Sequence, residues 1–70
     1  MNHAPPLLSV EARPHIASRF GTAIWSASND ARDVRTFNQL REVATRLRAI
    51  AADMDATANE QEAEWRGRTP

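Results

Sequence analysis

The sequence predicts an all-α protein, a helical hairpin that pairs with a second copy of itself to form an antiparallel homodimer resembling a four-helix bundle. Three observations predict it. Phe37, Ala44, Ala51, Ala58 and Trp65 recur every seven residues, and Leu40, Leu47, Met54 and Gln61 recur beside them. The two ladders alternate three and four residues apart, which is the seam of a helix packed on another helix. No Pro or Gly interrupts the chain between Gly21 and Gly67, so the ordinary helix breakers are missing from that stretch. The chain has 70 residues, and one so short hides a small share of its surface, so oligomerisation is a natural route to stability.

Taken in order, residues 1–13 read as an N-terminal arm, 14–67 as the helical hairpin and 68–70 as a tail. Pro5-Pro6 favours extended backbone and opposes helix at the residue before it. Leu7, Leu8 and Val10 are the apolar residues of this arm, suited to packing on the body or to meeting a partner. Pro14 suits the first turn of a helix, where its missing N–H is no loss. Ile16, Phe20, Ala23, Ile24 and Ala27 then share one face at helical spacing, so the short helix is expected over about 14–27. Gly21 lies inside it, at a cost of about 1 kcal/mol relative to Ala. Trp25 falls off the Ile16/Phe20 stripe.

Ser28-Asn29-Asp30 is a run of turn and cap formers, where the hairpin is expected to reverse. Two starts compete for the long helix. Asp30 can cap a helix from Ala31, and Thr36 with Gln39 makes a capping box. From either start, the helix is expected to reach residue 66. Gly67 then stands at the position of a left-handed C-terminal cap, with Pro70 beyond. A helix of that length, about 46 Å, is only about half covered by the short one. Glu42–Arg46, Glu62–Arg66 and Glu64–Arg68 are i,i+4 pairs in the favourable order.

The direction of pairing follows from charge. Arg41, Arg48, Asp55 and Glu62 recur along one flank of the ladders, two cations before two anions. With the twofold near Ala51, an antiparallel mate brings Arg41 to Glu62 and Arg48 to Asp55. It also sets Phe37 beside Trp65 and Ala44 beside Ala58. A parallel mate offers Arg41 no acid. Exposed pairs of this kind contribute about 0–1 kcal/mol each, so they select orientation more than they stabilise. The expected dimer interface is therefore Phe37, Leu40, Ala44, Leu47, Ala51, Met54, Ala58 and Trp65. The small residues at its centre permit close helix axes. In this respect, residues 37–65 resemble the alanine-based coils of small dimeric helical-hairpin proteins of the Rop type. That resemblance implies a fold and an assembly; it carries no functional residue over.

Composition excludes several function classes. Nine Arg balance nine acids, with no Lys and no Cys. A neutral chain has no broad attraction for nucleic acid or anionic lipid, and without Cys there are neither disulfides nor thiolate metal sites. His3 and His15 form no ligand pattern. Ser9, Ser18, Ser26 and Ser28 lack a nucleophile elbow, and there is no glycine-rich phosphate loop. No enzyme activity, cofactor or metal is expected. No stretch approaches the ~20 apolar residues of a membrane span, and the N-terminus lacks the basic and apolar regions of a secretion signal, so a cytoplasmic location is expected.

Charge is nonetheless uneven. Residues 1–52 carry seven Arg against four acids, and residues 53–70 carry two Arg against five acids. Arg13, Arg19, Arg32, Arg35, Arg46 and Arg48 are therefore candidates for phosphate contact, making a small nucleic-acid-binding regulator the rival function. The favoured expectation is a non-catalytic dimer that binds and modulates another protein, with Leu7, Leu8, Val10 and Trp25 as partner-binding candidates, since Trp is enriched at interface hot spots. In size and architecture the chain is similar to small phage or mobile-element proteins that inhibit a host transcription regulator or enzyme.

Overall fold

A computed structural model describes residues 7–68. It contains two helices, α1 (Ala12–Arg32) and α2 (Phe37–Arg68), and no strand among the described residues. The Arg46 guanidinium meets Asp30, and Arg19 meets Asp53 at 3.5 Å. Numbers fall along one helix as they rise along the other, so the pair is an antiparallel hairpin. Its dimensions are 53 × 20 × 18 Å.

Each helix begins where a preceding residue accepts hydrogen bonds from its first amides. At α1 the residue is Ser9. Its carbonyl accepts from the backbone N–H groups of Ala12 and Arg13, both at 3.2 Å, and its hydroxyl accepts from Ala12 N–H at 3.2 Å. Pro14 then sits within the first turn, where no donor is required of it. At α2 the Thr36–Gln39 capping box forms in full. Thr36 Oγ1 accepts from Gln39 N–H at 3.0 Å, and Gln39 Oε1 accepts from Thr36 N–H at 3.2 Å and Arg35 N–H at 2.7 Å. Of the two competing starts, this is the one taken.

Three boundaries differ from expectation. The short helix covers Ala12–Arg32 rather than 14–27. Its extension through Ser28-Asn29-Asp30 has a tertiary cause: Asp30 is drawn across the seam to Arg46, so its carboxylate caps nothing locally. The reversal is made by residues 33–36 instead. At the other end, Gly67 remains helical, with no positive φ, and α2 runs to Arg68. Glu62–Arg66 at 3.3 Å and Glu64–Arg68 at 3.8 Å brace that last turn. The longer α1 also changes how much of α2 is covered. Leu7 and Leu8 continue beyond it, lining a cleft with Ala58 and Trp65, so cover reaches nearly the full length of α2 rather than half. Pro5-Pro6 and the tail residues 69–70 lie outside the described residues.

The core is thin. Among the described residues, Phe20 and Ala27 of α1 and Val43 of α2 are the buried ones, with Ile16, Ala23, Ile50 and Thr57 half-buried around them. Val43, Ile50 and Thr57 are seven residues apart. This line lies next to the ladder of Leu and Met on the helix surface, so α1 occupies one side of the apolar arc of α2 and leaves the other side uncovered.

Candidate interaction faces

The two sides of the hairpin seam are chemically different. Ser26, Asp30 and Arg19 lie on one edge of the α1 stripe, and Arg46 and Asp53, seven residues apart, lie on the facing edge of α2. They close that side with polar contacts. Arg46 donates one guanidinium N–H to Asp30 and another to Ser26 Oγ at 3.1 Å, and Arg19 pairs with Asp53. All four ionised groups are substantially exposed, so each bridge contributes only about 0–1 kcal/mol. Their main effect is to set the register and roll of the two helices. Arg46 thus pairs across the seam rather than with Glu42.

Among the described residues, the opposite side has no such latch. By helical phase, Ile24 of α1 and Leu40, Leu47, Ala51 and Ala58 of α2 fall there. Leu40, Leu47 and Met54 are 42–55% exposed, and Phe37 is 82% exposed. Ala51 and Ala58 are exposed and Ala44 is half-buried. The predicted interface residues therefore form one strip along α2, next to the seam and largely uncovered by α1. Trp65, at its far end, is half-buried. Arg41, Arg48, Asp55 and Glu62 border the strip on the edge away from α1. Arg48 and Asp55 make no ion pair among the described residues. Arg41 donates to Asn38 Oδ1 at 3.2 Å, and Glu62 pairs with Arg66.

The four partner-binding candidates are split. Leu7 and Leu8 lie against the distal part of α2, with Ala58, Gln61, Glu62 and Trp65 around the same cleft. Arg13 Nε donates to the Leu8 carbonyl at 3.2 Å, holding the arm to the start of α1. Val10 is exposed in the turn before α1. Trp25 is on the outer face of α1, pointing away from α2, and is 68% exposed. Gly21 lies one turn before it on this face, and a Cβ built there meets nothing within 4 Å. The surroundings of Trp25 are small or polar: Ser18, Gly21, Thr22 and Ser28.

Sequence reasoning missed the Ser9 cap and the Arg46–Asp30–Ser26 latch. A Ser three residues before the first helical Ala was a readable signal for the cap. The latch joins residues 16 and 20 apart in sequence, and nothing local announces it. No described helix is long and apolar enough to cross a membrane. Comparison with protein-family models, curated proteins and solved structures finds no match to this chain.

Proposed function

We propose that this chain is a non-catalytic, cytoplasmic interaction protein that dimerises antiparallel through the α2 strip and binds, and thereby inhibits, another protein through the outer face of α1 around Trp25. One observation carries the reading: among the described residues, nine large hydrophobic side chains are exposed while three residues are buried. The contiguous part of that surface along α2 supports an association site on a folded chain. The strip and the Trp25 face point in different directions, so a dimer joined by one keeps the other available. A host transcription regulator or enzyme is the class of target in view.

The arginines weigh against the nucleic-acid alternative. Of the six candidates for phosphate contact, Arg19 and Arg46 are engaged with Asp53 and Asp30, and the chain is neutral overall. The test is affinity capture from the native host with the wild-type chain and with Trp25→Ala, scored for proteins and nucleic acids together. The reading expects a protein that is captured by the wild type and lost with the variant. Capture of nucleic acid that weakens steeply as salt rises would replace it with the alternative.

A further inference from the structure

We infer that the cleft at the far end of α2 is a socket for Phe37 of a second copy, with the N-terminal arm as one wall. The inference rests on the self-association reading and deepens it by naming the side chain that seats and the place that receives it. Phe37 is the first residue of α2 and the most exposed large hydrophobic in the described chain. Its own hairpin leaves it largely uncovered. The cleft lies near the other end of the rod, lined by Leu7, Leu8, Ala58, Gln61, Glu62 and Trp65, and its volume is about 200 Å³. An apolar cavity of about 150 Å³ is enough to accept benzene, so one phenyl ring fits.

Register and charge select the occupant. Phe37 and Trp65 each lie fourteen residues from Ala51, about 21 Å along the helix. An antiparallel mate centred at Ala51 therefore delivers Phe37 to the Trp65 level. Arg41, one turn after Phe37, arrives beside Glu62 on the socket wall, and Arg48 meets Asp55. The incoming guanidinium supplies a charge for Glu62. The twofold repeats the arrangement, so each dimer holds two such sockets. Leu7 and Leu8 are then part of the dimer contact and not of the partner-binding face.

Sedimentation equilibrium of the wild type, Phe37→Ala and Leu8→Ala tests this, with helicity followed by circular dichroism. The expected result is a wild-type dimer whose dissociation constant rises at least tenfold in each variant, with the helicity of Phe37→Ala unchanged because that side chain is largely exposed in its own hairpin. A wild-type dimer that Phe37→Ala leaves equally tight overturns the socket and spares the self-association reading. A wild type that is monomeric at every concentration ends both. A double variant with Phe37→Cys and Leu8→Cys locates the contact. These positions lie at opposite ends of the hairpin, so a disulfide mapped between them has to join two copies. Ala51→Cys crosslinking without that linkage keeps the register centred on Ala51 and overturns the socket.

Discussion

Replacing Gly21 with Ala separates the two faces of α1. Gly21 is in the interior of the helix, its φ is not positive, and a Cβ added to it meets nothing within 4 Å. Nothing in the hairpin therefore requires Gly there. The substitution removes the backbone freedom that Gly loses on folding, which stabilises by about 0.4–1.0 kcal/mol. For a domain of this size, 1 kcal/mol corresponds to about 4–8 °C in Tm, so a rise of roughly 2–8 °C is expected. Melting followed by circular dichroism at one fixed concentration measures it, since dimerisation makes Tm depend on concentration. The α2 strip lies elsewhere on the hairpin, so the dissociation constant of the dimer should not change. A fall in Tm, or a weakened dimer, would show that another copy packs on Gly21 closely enough to exclude a methyl group. The outer face of α1 would then be the dimer interface, and the assignment of Trp25 to a different partner would fail with it.

Two further perturbations address the capping and the pairing direction. Thr36→Ala removes the hydroxyl that accepts from Gln39 N–H, and is expected to cost about 1 kcal/mol, within the 0.5–2 kcal/mol span of N-cap losses. Urea unfolding measures it, and an unchanged midpoint would mean that Gln39 alone holds the start of α2. Arg48→Asp sets like charges against Asp55 of an antiparallel mate twice per dimer, and should weaken the dimer by about 2- to 30-fold, given about 0.2–1 kcal/mol per exposed pair. Adding Asp55→Arg in the same chain restores opposite charges and should recover the affinity. Failure of the double variant to recover it in sedimentation would refute the antiparallel register.

Much of the fold was legible because its signals are local. The seven-residue ladders, the absence of breakers between Gly21 and Gly67 and the Thr36–Gln39 pair each act within a turn or two of backbone, where short-range hydrogen bonding decides the outcome. The same locality explains the errors. Ser28-Asn29-Asp30 has the chemistry of a turn, but once Asp30 pairs with Arg46 across the seam its side chain no longer competes for the backbone. Gly67 has the chemistry of a cap, yet Gly also adopts helical φ, and α2 continues through it to Arg68. The candidate site was legible as a set of residues and illegible as a surface. Phe37, Leu40, Leu47, Ala51 and Trp25 stood out by spacing and type, while their exposure depended on where α1 lay.

By itself, the sequence determined that two helices form and which residues line the apolar arc of α2, and it narrowed the start of α2 to two positions. These follow from periodicity and capping, which are properties of neighbours along the chain. Only the tertiary structure decided which part of that arc α1 covers. Arg46 with Asp30 and Ser26, and Arg19 with Asp53, set the roll of one helix on the other, turning Val43, Ile50 and Thr57 toward the seam. The Leu and Ala strip is left open on the other side. Residues far apart in sequence meet only after the chain has folded back, so no local pattern records their choice.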